Sequence, residues 1–163
     1  MPFAEGSFDL VTALDLLEHL EREPVGLGEM WRVLKNEGRL LAVVPAFAFL
    51  WSDFDRFSGH YRRYSKEELR RKIERSGFEV SRLSYFNTLL FPLVWGVRTF
   101  KNWAGRWHTF RSDLRMPVFG LNGILARMFS LESILIAERD LPFGVSLVCL
   151  ARKNSSGRGV GET

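Results

Sequence analysis

The sequence predicts an α/β fold. The prediction rests on an apolar run at Phe8–Leu14 behind the turn-like Glu5-Gly6-Ser7, a helix-patterned stretch from Pro24 to Leu34, and a second apolar run from Arg39 to Pro45. Strand, helix and strand joined by short connections form a βαβ unit, which requires parallel pairing and a right-handed crossover. With 163 residues, 46% hydrophobic and 26% charged, the chain has the size of one domain. Its composition is globular and excludes wholesale disorder.

Each element has its own justification. Phe8–Leu14 carries a single early acid, Asp9, and reads as a buried strand. Between Pro24 and Leu34 the apolar Val25, Leu27, Met30, Trp31, Val33 and Leu34 alternate with Glu29 and Arg32, giving a helix with one wet face, which Asn36-Glu37-Gly38 is expected to stop. Arg39–Pro45 is apolar almost throughout, as a strand covered on both faces should be. Ser65-Lys66-Glu67-Glu68 predicts a capping box, with Ser65 accepting from the first-turn amides and Glu68 reaching back, ahead of a helix that runs to Ser76 and ends at Gly77. Phe78–Leu83 alternates well enough for a strand, and Gly144–Ala151 reads as a final buried one. Residues 122–137 form a further helix candidate, and the Gly/Ser-rich 154–163 is expected to be a disordered tail.

Charge is unevenly spread. Residues 1–55 carry four basic and ten acidic side chains (−6), residues 56–111 thirteen and four (+9), and residues 112–163 six and five (+1). A basic middle invites an anionic partner such as a phosphate-bearing substrate or an anionic lipid surface, or else reflects solvated helix faces. No nucleic-acid recognition motif accompanies it, so nucleic acid is not an expected partner. The longest apolar stretch, Thr88–Val97, has ten residues where a spanning helix needs about twenty. The lone Cys149 excludes an internal disulfide and suits a reducing compartment, so a cytoplasmic location is expected.

Ligands of open α/β sheets bind outside the carboxyl ends of the strands, here Ala13–His19 and Pro45–Trp51. Asp15-Leu16-Leu17-Glu18-His19 sets three ionisable groups just past a strand end. His19 could exchange a proton near neutral pH with Glu18 orienting it, making these the candidate catalytic residues; the alternative is that Asp15 caps a short helix and His19 packs at its end. Gly59-His60-Tyr61-Arg62-Arg63-Tyr64 gathers two guanidiniums, an imidazole and two phenols, a grip for a phosphate or carboxylate or else a solvated basic loop. The histidines at 19, 60 and 108 are scattered, with no H-E-x-x-H and no paired cysteines, so no metal site is expected.

Met1-Pro2-Phe3-Ala4-Glu5-Gly6-Ser7-Phe8-Asp9-Leu10-Val11, then Leu17-Glu18-His19-Leu20, then Glu29-Met30-Trp31-Arg32-Val33-Leu34-Lys35 and Gly38-Arg39-Leu40 resemble the class I S-adenosylmethionine-dependent methyltransferases. The pattern there is L-P-F-x-x-x-S-F-D-x-V, L-E-H and E-x-x-R-V-L-K-P-G-G. The 59–64 loop and Tyr85-Phe86-Asn87 look like a subgroup associated with glycan, lipid or small-metabolite modification. The resemblance covers residues 1–90 firmly and the rest loosely. It implies a partial Rossmann-like fold, mostly parallel with a final antiparallel strand, and a helical insertion over about 88–140. Phe8–Leu14 and Arg39–Val44 would be the family's fourth and fifth strands, and Phe78–Leu83 and Gly144–Ala151 its last two.

The same resemblance implies S-adenosylmethionine as cofactor, with Ala13, Leu14 and Asp15 beside its methionine moiety and Phe3 among the cofactor contacts. Glu18 and His19 would face the active-site mouth, and His60, Tyr61, Arg62, Arg63 and Tyr64 would line the acceptor side. The acceptor would be a small molecule, a glycan or a lipid-linked compound. Asn36-Glu37-Gly38 departs from Pro-Gly-Gly, which should change only a turn. The family's G-x-G-x-G loop, ribose-binding acid and Asp-Ala pair would all precede residue 1. Residues 1–153 are therefore expected to be the C-terminal part of a methyltransferase, truncated or with a misassigned start, and weak or inactive alone. The alternative is a non-catalytic remnant that binds a membrane surface or a partner.

Leu89, Leu90, Leu93, Val97, Ala104 and Trp107 fall on one helical side, with Trp95 and Trp103 nearby and Arg98, Lys101 and Arg106 elsewhere. Such a segment suits either a helix lying in a membrane interface, peripheral at the inner surface, or a lid over the substrate pocket.

Overall fold

The computed structural model describes residues 1–92, 95–96, 123, 126–127, 130, 132, 135–136 and 138–154. Strand β1 (Phe8–Leu14) leads through a 3₁₀ turn (Leu17–His19) into helix α1 (Glu23–Val33) and strand β2 (Leu34–Pro45). A second 3₁₀ turn (Ala48–Leu50), helices α2 (Asp53–Phe57) and α3 (Lys66–Arg75), and strands β3 (Phe78–Phe86) and β4 (Ser146–Lys153) follow. The strands form one sheet in the order β1-β2-β4-β3. Strand β1 runs parallel to β2, and β4 runs antiparallel to both its neighbours, so three strands point one way and the last is inserted against them. The reversed final strand is the one the family resemblance led us to expect; because it lies inside the sheet, only the β1–β2 pairing is parallel and the four described strands form a mixed sheet.

The core is a row of side chains across that sheet. Ala13 pairs with Ala42, Ala42 with Cys149, and Leu83 with Cys149. All four are buried, together with Leu27, Met30 and Trp31 of α1 and Leu69 and Ile73 of α3. The apolar spacing of α1 and α3 is what lets each bury one stripe on the sheet. Trp31 donates from Nε1 to the Gly77 carbonyl (3.2 Å). Gly77 has φ +90, and a Cβ there would stand 2.9 Å from that same Nε1, so only glycine suits the turn. Lys153 closes β4 with its ammonium buried, 3.9 Å over the Trp31 ring and 2.7 Å from the Leu34 carbonyl.

Some boundaries differ from expectation. Asn36-Glu37-Gly38 does not stop a helix; β2 already begins at Leu34, whose N–H caps α1 by donating to Met30. Phe8 pairs with Leu34 and Leu10 with Arg39, so a bulge with Glu37 at φ 65 absorbs the extra residues. At α3 only half the capping box forms. The Ser65 hydroxyl accepts from the Glu68 N–H (3.1 Å), while the Glu68 carboxylate turns to Lys72 (2.7 Å). The reciprocal box sits instead on α2, between Ser52 and Asp55. The aromatic basic segment of 88–110, the helix over 122–137 and the tail of 154–163 lie wholly or largely outside the described residues. Among the described residues no helix is long and apolar enough to cross a membrane.

Candidate active site

Two strand ends and one returning loop build the site. After β1, the Asp15 N–H donates to the Val43 carbonyl (2.9 Å) and the backbone turns left-handed at Asp15 (φ 47), which releases the chain into the Leu17–His19 turn. After β2, Ala46 bridges to Tyr64: the Tyr64 N–H donates to Pro45 (3.0 Å) and the Phe47 N–H to Tyr64 (2.9 Å). The Tyr61 N–H donates to the Glu18 carbonyl (2.8 Å). These bonds clamp the loop after α2 across the carboxyl ends of β1 and β2. They border an open cavity of about 420 Å³ lined by Asp15, His19, Pro45, Phe54, Ser58, His60, Arg63, Val145 and Ser146.

His19 and His60, far apart in sequence, meet edge to face with ring centroids 4.7 Å apart. His60 is held through Nδ1, 3.1 Å from the buried Asp55 carboxylate. That carboxylate also accepts from Arg63 (2.7 Å) and from the Ser52 amide and hydroxyl (2.8 and 2.9 Å). Burial pushes the Asp55 pKa up, but the Arg63 and Ser52 contacts outweigh it and hold the carboxyl below its ordinary value.

Glu18 is different. It is fully buried, and neither carboxylate oxygen has a hydrogen-bond partner on another residue. Burial is the main cause that raises its pKa to about 7; Asp15 and Asp55 add to the rise, and its own amide and Arg63 oppose it. It therefore does not orient His19 by a hydrogen bond, as the sequence suggested. It lies instead in a three-residue cluster, in which ligating atoms of Glu18, His19 and His60 all stand within 4.8 Å of one another.

The 59–64 loop divides. His60 faces the cavity, and Arg63 lines it with a guanidinium committed to Asp55 and the Ala46 carbonyl (3.1 Å). Arg62 and Tyr64 are not cavity walls. The Arg62 guanidinium pairs with Glu23 (2.7 Å) and the Glu21 carbonyl (3.1 Å), and the buried Tyr64 hydroxyl donates to Glu23. These two side chains hold the loop to α1. Tyr61 is exposed, with Arg62 5.7 Å over its ring.

Of the expected cofactor contacts, Ala13 is buried, and Leu14 and Asp15 are exposed at the strand end. Phe3 is not with them. It packs edge-on against Phe8 (5.1 Å) at the start of β1, roughly 20 Å from Asp15 at about 3.3 Å per strand residue. Sequence reasoning missed Ser52, Phe54, Asp55 and Ser58, although Ser52-Asp53-Phe54-Asp55 is itself a capping-box pattern.

Residues 1–42 match the family model of a methyltransferase domain. Among solved structures, the chain resembles a Haloferax volcanii methyltransferase in complex with the Trm112 methyltransferase activator (13% identity, 94% of this chain and 57% of that one, TM-score 0.55). It also resembles an S-adenosylmethionine-dependent methyltransferase from Thermotoga maritima (17%, 94% and 60%, TM-score 0.52) and geranyl diphosphate methyltransferase in complex with S-adenosylmethionine (14%, 94% and 54%, TM-score 0.54). The fold is that of the class I methyltransferases. Among curated proteins no match is found. The chain spans somewhat over half the length of these three structures. In this methyltransferase fold β1 and β2 carry the family-matched motifs, and their carboxyl ends open on the cavity just described.

Proposed function

We propose that this chain carries part of an S-adenosylmethionine-dependent methyltransferase, including its acceptor side. The observation that supports it most is the convergence of Asp15, His19 and His60 on one cavity at the carboxyl ends of two parallel strands, where sheets of this class bind ligands. The residues present fit one wall of a cofactor site: Ala13 gives a small buried floor, and Leu14 and the left-handed Asp15 turn their exposed sides outward. Those three would hold the cofactor, which supplies a methyl group on a sulfonium when bound. The protein's share is alignment of the acceptor with that methyl group. His19, exposed on the cavity wall, is placed to take a proton from a hydroxyl or amine acceptor. The Asp55–Arg63 pair holds the His60 ring still beside it.

Phe49, Phe54, Phe57 and Tyr61 are each more than half exposed around the 47–61 loop, and Phe54 also lines the cavity. Exposed rings of this kind support an acceptor with an apolar portion, a lipid-linked or apolar small molecule in preference to a bare glycan. A second reading, a non-catalytic module that holds a partner chain, is favoured by one observation. Strand β1 pairs only with β2 among the described residues and exposes Leu10 and Leu14.

The deciding experiment is thermal unfolding with and without S-adenosylhomocysteine. Ligand at a hundred times its Kd stabilises the folded state by about 2.7 kcal/mol. A rise in Tm that Asp15→Ala abolishes supports the enzyme reading; no rise at millimolar ligand, either in this chain or in a longer parent chain, favours the partner-binding module.

A further inference from the structure

We propose that Glu18, His19 and His60 form a binding site for one divalent transition-metal ion, open to the cavity. The three donors come from two separate segments, and their ligating atoms already lie within 4.8 Å of one another. Around an ion bound at about 2.1 Å, tetrahedral donors stand about 3.4 Å apart. Closure by at most about 1.4 Å is therefore enough, and His19, exposed on a short turn, is the ligand with room to move.

Two further observations point to a ligand. The Glu18 carboxylate is fully buried, and neither oxygen has a partner on another residue, a costly arrangement for a group with nothing to coordinate. His60 has its Nδ1 engaged by Asp55 (3.1 Å), which leaves Nε2 to bind. A carboxylate behind a histidine is the outer-shell arrangement that fixes a metal-binding ring. Asp55 is itself fixed by Arg63 and Ser52, so the support is rigid.

Two imidazoles and one carboxylate suit zinc, cobalt, manganese or iron(II) better than magnesium or calcium, which prefer all-oxygen shells. Three protein ligands leave at least one position open. Here it would face the cavity, where an acceptor oxygen could occupy it. The proposal needs no cofactor, but it shares His19 with the methyl-transfer reading: with an ion bound, His19 acts as a ligand and the ion, not the imidazole, meets the acceptor oxygen.

The test is titration of the chelator-treated 163-residue chain with Co²⁺, followed by visible d–d absorption in the absence of any methyl donor. One ion per chain is expected, displaced by Zn²⁺. Glu18→Gln, nearly isosteric, and His60→Asn should each weaken binding at least tenfold while far-UV circular dichroism stays native. Cys149→Ala should leave binding unchanged, because that thiol is buried in the core. No d–d band up to about 1 mM Co²⁺, or a band that Glu18→Gln does not affect, would overturn the proposal. Either result leaves the homocysteine-derivative experiment above to be judged separately.

Discussion

Glu18 and Glu23 are two buried acids on consecutive turns, and the structure treats them in opposite ways. Glu23 accepts from the Tyr64 hydroxyl, from Arg62 (2.7 Å) and from Lys72 (2.7 Å), binding α1 to the acceptor loop and to α3. Glu18 accepts from no other residue. The first is a joint that holds three segments together; the second is an unsatisfied group facing two imidazoles. A buried carboxylate marks structure when its partners are present and a site when they are missing, and burial alone distinguishes neither case.

The largest effect should come from breaking the joint. Glu23→Gln leaves two cations and a phenol competing for an amide and should cost about 3 kcal/mol at pH 7 in denaturant unfolding. Burial raises the Glu23 pKa, but its Lys72, Tyr64 and Arg62 contacts outweigh that and bring it below the ordinary value. Its stabilising contribution is therefore present above the unfolded-state pKa and lost as pH falls through the folded one. Wild type and Glu23→Gln should converge in strongly acidic buffer, and a gap that survives there would contradict the assignment.

Next comes Glu18→Gln, with the opposite sign. With a folded pKa of about 7 against an ordinary 4.5, the wild type loses stability as pH rises between those values. In chelator at pH 8 the variant should be the more stable by about 1–3 kcal/mol. At pH 3, where the carboxyl is protonated in both states, the difference should vanish. Equal stability of the two proteins across the range would remove the contrast between the acids. Tyr64→Phe should cost about 1–2 kcal/mol by deleting one buried donor to Glu23. It should leave Co²⁺ binding untouched, a sharper test of whether the two sites are independent.

Much of the fold was legible because its strands are short apolar runs between turn residues, and α3 announced itself through Ser65 and Gly77. The antiparallel sense of β4 came from the family resemblance, whereas its place between β2 and β3 is seen only in the structure, because no local pattern in Ser146–Lys153 states which strands it joins. The site was half legible. Asp15, Glu18, His19 and His60 could be named as chemistry-bearing residues, but their meeting depends on Tyr61 bonding to Glu18 across the fold. The engagement of Arg62 and Tyr64 was hidden for the same reason. A basic aromatic loop resembles a ligand grip until Glu23, on another helix, is seen to occupy it.

The position of β4 bears on how the molecule assembles. Strands β2 and β3 are not neighbours; β4 lies between them and is bonded to both. During synthesis the βαβ unit and the α3–β3 unit emerge as separate pieces with no shared ladder. The sheet becomes continuous only after residue 153 has left the ribosome and the late strand has slotted into the gap. Pairings this distant in sequence slow folding, and until they form, the open edges of β2 and β3 are exposed to the wrong partners. A chain interrupted anywhere before Ser146 would therefore lose the centre of its sheet, not merely one end of it.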